Sequence, residues 1–512
     1  MKKTAKKSLA LVLSLVLLFS CVGVSGSAES ATEKTGYEPL RISCTMYGDT
    51  QTQRGFAWFT EKACDTELLV TEKGDIDFSD AIVVEGTVEE WQGYYCHKAV
   101  ATGLEKGKTY IYKVGSKDNE VYAEGSFRTD DGDDKFSFIA IADVQASNAL
   151  NFKQASDVMR AADAKYKNSE FTINLGDFVN DCTNEEWNWY GEYFAPYNTK
   201  STLVPVVGNH EGNITNKLNV SWFDKTFNLE RGEGELNGVN GTYYSFDYGN
   251  VHFTVLNSND MYPMTDAQRN WIYNDITNSD AYWKVLLLHR AVYSAGKNIN
   301  KPDTLAMRET IIEIVDETGV DLVLSGHDHM YFRTQQVKGD AVCEDTTYVT
   351  ENYKGVDTTF AVDPDGAVYA LPSTAGTKRY GVNENPIDPI MDCADVCFST
   401  RSEENEAGEE TNPNAGGCFA GIEIDGDYLI YKAYVVEDRD PEQDYDTVAK
   451  TKLVDEYAIK KTVADEPMDG TNLPTDILGT LDGSVLNFLT EIFGLLFTYI
   501  AKLLPQSIMG LF

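Results

Sequence analysis

The chain holds six histidines, and four of them, His210, His289, His327 and His329, follow short apolar runs within one stretch of sequence. Two carboxylates and an amide do the same: FSFIAIA ends at Asp143, FTINLG at Asp177 and STLVPVVG at Asn209. YWKVLLL runs into His289, and VDLVLSG runs into the GHDH that carries His327 and His329. Imidazole and carboxylate donors suit borderline divalent metals, and an extended GHDH presents two imidazoles two residues apart to neighbouring ions. Singly, each has an ordinary explanation, since Asp after a strand caps helices and Asn after Gly makes turns. Their concentration at successive strand ends is what indicates a metal site. The other two histidines read as packing residues: His97 lies among short N-terminal strands, and His252 lies inside the apolar strand of SFDYGNVHFTVLNS.

Strand ends can gather such residues only when the strands lie side by side. From residue 136 onward, apolar strands alternate with helical segments such as the one near 151–165, which predicts a layered α/β sheet with its site at the carboxyl ends of the strands. Residues 38–129 read differently. LRISCTMYG, RGFAWFT, TELLVTEKG, AIVVEG, YYCHKAVATGL, TYIYKVG and VYAEGSF are seven short strands separated by turn residues, the pattern of an all-β sandwich. Within GLEKGKTYIYKVG, Tyr110 stands where fibronectin type III domains tuck a tyrosine under the preceding turn, so this module resembles them. The charged hinge DDGDDK, residues 130–135, separates the two patterns.

A chain of 512 residues exceeds what one hydrophobic core organises, and 42% hydrophobic with 24% charged residues excludes wholesale disorder. Acidic residues outnumber basic ones 81 to 43, and the net charge of −38 opposes long polyanions such as DNA, RNA and anionic membrane surfaces. Residues 1–28 have the order of a secretory signal: four lysines, an apolar run from Leu9 to Phe19, then small residues to Ala28. Secretion, or display at the cell surface, is the expected location. Beyond Cys21 there are eight cysteines, an even number that permits disulfides in an exported chain without fixing their pairing, and no CxxC pair faces another to signal a zinc knuckle.

The ordered blocks AD143VQ, GD177FVND, GNH210E, LLLH289R and GH327DH329 resemble the signature of calcineurin-like metallophosphoesterases, and the fibronectin-like module ahead of them resembles the purple acid phosphatase branch. YALPSTAG and GCFAGIEIDGDYLIYKAYVV extend the likeness to roughly residues 38–438. The resemblance implies two packed sheets flanked by helices over 136–438, with two metal ions between the sheet ends. It assigns Asp143, Asp177 and His329 to the first ion and Asp177, Asn209, His289 and His327 to the second, with Asp177 bridging. Two cations about 3.5 to 4 Å apart lower the pKa of a shared water from 15.7 toward ~7 and hold both oxygens of an in-line displacement. His210 then has no metal to bind and is the candidate catalytic group, stabilising the phosphoryl group or protonating the leaving alkoxide. Arg290 is either a clamp for a phosphate oxygen or a surface ion pair.

The chain departs from the family at two positions. Purple acid phosphatases carry a tyrosine three residues after the bridging Asp, where this sequence has Asn180, and other branches carry a histidine two after the first Asp, where it has Gln145. Neither replacement is a strong ligand for a trivalent ion, so the expected metals are divalent, Mn, Zn or Fe(II), and the expected enzyme is colourless.

The acidic, cysteine-containing segment 335–417 follows GHDH directly and is expected to overhang the site, with RSEENEAGEETNPN inside it as a loosely folded loop. Residues 462–483 read as a tether. Over 484–504 a narrow polar stripe on an apolar helix suits docking on a membrane interface, a partner or a second copy. The function these features point to is a secreted phosphatase acting on small phosphomonoesters. A phosphodiesterase or nucleotidase sharing the same metal core is the alternative, and a surface binding protein with a vestigial site is the alternative outside enzymes.

Overall fold

The computed structural model describes residues 34–212, 219–230, 242–260, 264–383, 385–440 and 447–462. The expected secretory signal of residues 1–28, most of the expected tether at 462–483 and the expected helix at 484–504 lie outside the described residues.

The N-terminal module is a sandwich of two four-stranded layers. Leu40–Thr45, Arg54–Thr60, Tyr94–Ala101 and Thr87–Trp91 form one layer, and Ile82–Glu85, Glu67–Glu72, Thr109–Ser116 and Val121–Arg128 form the other. Phe56, Trp58, Tyr112 and Phe127 fill the space between them. Seven of the eight strands are those legible in the sequence. The eighth, TVEEW, is an exposed edge strand whose two glutamates hide its period, and it returns through Gln92 and Gly93, both at positive φ as a two-residue hairpin requires. The Tyr110 hydroxyl accepts the Glu105 main-chain N–H at 2.8 Å, so the tyrosine corner is present. His97 is fully buried, hydrogen-bonded through both ring nitrogens to Thr60 and Thr66 and stacked on Trp58.

The α/β domain has two large sheets and, among the described residues, a two-stranded ribbon of Val337–Lys338 with Ala341–Val342. The parallel strands Lys135–Ile141, Phe171–Asn174 and Thr202–Pro205 are extended on one side by antiparallel Gly417–Asp425, Tyr428–Val436 and Thr451–Lys460. On the other side Thr202–Pro205 meets Leu40–Thr45 of the sandwich, with Thr45 opposite Leu203, so both regions share one twelve-stranded sheet. The second sheet has seven strands, with Val251–Val255, Trp283–Leu287, Leu322–Leu324 and Val368–Pro372 parallel at its centre. Phe138, Phe171, Phe246 and Phe253 interlock between the sheets with ring centroids 4.8 to 6.0 Å apart. Helices cover the outer faces. Ala149–Lys165 starts where Asn148 accepts the Asn151 N–H, Asn184–Asn198 is capped by Thr183, and Pro302–Thr318 ends at Gly319 in the left-handed region.

The 335–417 segment reaches the strand ends through residues 373–380, and other parts of it lie elsewhere. Val368–Pro372 is a buried central strand, and the hairpin Thr347–Tyr353 with Val356–Val362 lies at the far edge of the first sheet, against Thr451–Lys460. RSEENEAGEETNPN is also ordered. Asn405 and Glu410 side chains accept main-chain N–H groups inside the loop, and the Asn412 amide donates to the Ser399 and Arg401 carbonyls, local bonds that replace an apolar core. All eight cysteines of residues 34–462 are free thiols, so the even count does not correspond to disulfides in this structure.

Candidate metal centre

The site lies where parallel strands of both sheets end. Asp143 follows Lys135–Ile141, Asp177 follows Phe171–Asn174, Asn209 follows Thr202–Pro205, His289 follows Trp283–Leu287, and His327 and His329 follow Leu322–Leu324. The chain must turn sharply at each end to aim these side chains into one volume. Asp143, Gln145, Asp177, His327 and His329 accordingly take five of the thirteen positive φ values found at non-glycine residues among the described residues. That backbone costs energy and persists only where its surroundings hold it.

Two overlapping donor sets result. Asp177, His289 and His327 form one, Asp143, Asp177 and His329 the other, with the ligand atoms of each set within 4.8 Å of one another and all the residues buried. Asp177 belongs to both, as the resemblance implied for the bridging ligand. His289 donates from Nδ1 to the Leu175 carbonyl at 2.8 Å, which turns Nε2 toward the other donors. Around that nitrogen lie Asn209 Oδ1 at 3.1 Å, Asp177 Oδ2 at 3.2 Å and His327 Nδ1 at 3.2 Å. His329 likewise bonds the Lys378 carbonyl through Nδ1, and its Nε2 lies 3.6 Å from Asp143 Oδ1. Oxygen and nitrogen lone pairs converge with few hydrogens to share, a donor chemistry that fits two divalent cations. All six expected ligands are therefore gathered, four around the second position and three around the first.

Burial opposes charge at the Asp177–His289 pair, yet each favours charge on the other. The carboxyl of Asp177 is held far below the usual range beside His289, and His289 rises to about 9 beside Asp177. Burial pushes His327 and His329 down, His327 further because His289 and Arg290 lie near it, which keeps both imidazoles in the neutral form that metals bind.

His210 stands at the rim. Its main-chain N–H donates to Asp177 Oδ1 at 2.8 Å and its Nδ1 donates to the Asn180 carbonyl at 2.5 Å, so Nε2 is the acceptor for the Gln145 amide. Gln145 thus serves His210, and Asn180 offers its main-chain oxygen while its side chain turns to Asp181. Neither takes the place of the missing tyrosine or histidine ligand. Arg290 resolves as an ion pair: Nη1 donates to Asp303 at 2.9 Å. His252 lies away from the centre, between Asp247 at 2.7 Å and Asp275 at 3.0 Å, as a structural residue.

Three supporting residues were not singled out from the sequence. Glu211 accepts the main-chain N–H groups of Asp177, Phe178 and Gly208 at 2.8 to 2.9 Å. Burial and the Asp177 carboxylate raise it to about 8. Gly208 packs so closely that a Cβ would come within 2.2 Å of the Asp177 nitrogen. Ser373 donates to Asp143 Oδ2 at 2.5 Å, and the Tyr380 ring stacks on His329 with centroids 4.6 Å apart. Glu211 is inside GNHE and Ser373 inside YALPSTAG, so the motifs held them without indicating their contacts; Tyr380 had no sequence signal.

Comparison with known proteins agrees with this geometry. Residues 136–331 match the family described as calcineurin-like phosphoesterase, and residues 39–129 match the purple acid phosphatase N-terminal domain. Among curated proteins, purple acid phosphatase 15 of Arabidopsis thaliana is 23% identical over 342 residues, covering 61% of this chain and 59% of its own length. Purple acid phosphatase 23 of the same plant is 25% identical over 305 residues, 52% of this chain and 65% of its own. The chain thus spans about three fifths of the relatives it matches. A purple acid phosphatase from yellow lupin (Lupinus luteus) seeds superposes with a TM-score of 0.62 at 14% identity, covering 83% of this chain and 75% of that one, a likeness of fold.

Proposed function

From a chain that carries a calcineurin-like phosphoesterase domain behind a purple acid phosphatase N-terminal domain, we propose a secreted hydrolase that cleaves small phosphomonoesters with two divalent metal ions. The observation that carries this reading is the sharing of Asp177 by two buried donor sets. Asp143, Asp177 and His329 would hold one ion, and Asp177, Asn209, His289 and His327 the other. When bound, such a pair supplies charge to activate water and to neutralise the phosphoryl oxygens.

The chain's own residues do the rest. Asp177 orients His210 through its main-chain N–H, and Asn180 fixes the ring by accepting from Nδ1. Nε2 of His210, which accepts from the Gln145 amide in the neutral ring, would carry the second proton of the protonated ring and pass it to the departing alkoxide. With Arg290 committed to Asp303, the phosphoryl group depends on the metal ions and His210 rather than on an arginine clamp. Export is supported by the lysine-rich, apolar order of residues 1–28.

The test is hydrolysis of a chromogenic phosphomonoester and a matched diester by the purified protein with Mn, Zn or Fe(II). Turnover abolished by both a chelator and Asp177→Asn is the expected result, with the monoester preferred. A diester preference would reassign the substrate class, and a folded, metal-loaded protein without turnover would overturn the enzymatic reading.

A further inference from the structure

Two loops border the first metal position. Residues 291–299 follow His289 and Arg290, and residues 376–383 follow the strand Val368–Pro372. They are stitched to each other and to the centre. Asn383 donates its main-chain N–H to Ala295 at 2.6 Å, Tyr380 donates its own to His329 at 3.0 Å, and the Lys378 carbonyl accepts from His329. On the first loop, Asn298 donates twice to Asp328, the residue between the two histidines, and Gly296 packs where a Cβ would meet Asp328 at 2.4 Å. Lys297 stands between these two anchors.

Its side chain is exposed, and its ammonium lies 3.8 Å from the centroid of Tyr380, the ring that stacks on His329. The other basic side chains around the centre have different commitments. Arg290 is paired with Asp303 and Arg379 with Asp438, while the side chain of Lys378 is exposed like that of Lys297 but has no ring contact among the described residues, its main-chain carbonyl accepting from His329. Among the described residues Lys297 has no ion pair. In a chain of net charge −38 an unpaired ammonium held beside a metal centre is a local reversal of the field that an anionic group would meet.

We propose that Lys297 and Tyr380 form a specificity subsite that recognises a second anionic group, such as a second phosphate, on the leaving-group side of the substrate. This rests on the phosphoesterase reading above and adds the substrate feature that reading leaves open. The Tyr380 ring is already engaged by His329 and Lys297, so the subsite offers an ammonium and a phenol hydroxyl to oxygen atoms rather than a bare ring for a base to stack on. The Tyr380 centroid lies 4.6 Å from that of the His329 ring and 3.8 Å from the Lys297 ammonium, and that span is the one a second anionic group would bridge from a phosphate held by the donor residues.

The experiment titrates the metal-loaded full chain with inorganic phosphate and with pyrophosphate, and follows hydrolysis of an alkyl phosphomonoester and of pyrophosphate in parallel. Lys297→Met is expected to lower the pyrophosphate-to-phosphate binding ratio and the corresponding kcat/KM ratio by about tenfold, the worth of one charge-assisted hydrogen bond. Lys297→Arg should restore most of both ratios, and Tyr380→Phe should lower them by about threefold. Ratios unchanged in Lys297→Met, or lowered equally by Lys297→Arg, overturn the subsite. Binding selectivity that shifts as expected in a protein that hydrolyses neither compound would uphold the subsite and sink the catalytic reading instead.

Discussion

Glu211 holds Asp177 in place: its Oε2 accepts the Asp177 main-chain N–H at 2.9 Å, and the same carboxylate takes the N–H groups of Phe178 and Gly208. One buried side chain therefore ties together the turns that carry the bridging ligand and Asn209. These turns have no regular secondary structure to satisfy their donors, so the carboxylate does the work a strand partner would do.

Removing it should be costly. Glu211→Ala leaves three buried N–H groups unpaired, and at about 1 kcal/mol or more each the loss is ~3 kcal/mol or above. Glu211→Gln keeps one acceptor and should fall between. Denaturant unfolding in a chelator isolates this from metal linkage, and metal analysis of the native protein should give fewer than two equivalents for the alanine variant. Wild-type stability with two equivalents bound would show that the turns hold themselves.

The two metal positions should differ in affinity. Four donors surround the second and three the first, and Gln145 is engaged with His210 rather than added to the first set. Graded chelation should remove one equivalent before the other, with activity lost in the first step. His329→Ala should abolish only the weaker equivalent and His289→Ala the tighter one. Because Asn180 stands where the family's coloured members carry tyrosine, the loaded protein should have no visible charge-transfer band. Simultaneous release of both ions, or a visible band, would contradict this ordering.

The donor residues were legible because a metal centre would concentrate rare residue types at strand ends, and a chain with six histidines makes the concentration visible. Contacts made by common residues were not visible. Glu211, Ser373 and Tyr380 act through a partner distant in sequence or through the main chain, and nothing in their spacing marks them. The sandwich was legible through its alternating strands, but its merger with the first sheet of the α/β domain was not, since that depends on one parallel pairing, Thr45 with Leu203. The 335–417 segment misled for a third reason. Its polar composition conceals the five-residue strand Val368–Pro372, which is buried on both faces and too short to show a period.

That merger makes the sandwich part of the sheet that carries Asp143, Asp177 and Asn209 at its strand ends. Arg41, 5% exposed, donates to the Asn184 and Asn188 side chains and the Asn184 carbonyl on the helix that follows the Asp177 turn, and its guanidinium lies over Phe59 and Tyr94. Ser43 and Thr45 donate to the carbonyls of Thr226 and Asn228. A chain beginning at residue 130 would expose the edge of Thr202–Pro205 and should aggregate rather than fold. Arg41→Ala should cost about 2 to 4 kcal/mol in denaturant unfolding, with metal stoichiometry retained. A soluble, cooperative fragment from residue 130 would mean that the shared sheet is dispensable.

His252 should make stability fall on the alkaline side. Burial lowers the affinity of its ring for a proton, but hydrogen bonds to Asp247 and Asp275 outweigh this and raise it to about 9, against ~6.5 for an unfolded chain. A group raised on folding contributes fully below its unfolded value, so the contribution is complete below about pH 6.5, declines as pH climbs, and is gone above the folded value near 9. The shift corresponds to at most ~3 kcal/mol, and to about 2 once the solvent exposure of Asp247 is allowed for. Other groups also titrate in this range, so the informative quantity is the difference between wild type and His252→Gln. That gap, measured by denaturant unfolding in chelator, should be largest near pH 6 and smaller by about 2 kcal/mol at pH 10. A gap that stays constant across the range would mean that His252 is neutral in the fold and stabilises only by packing and by hydrogen bonds that need no charge.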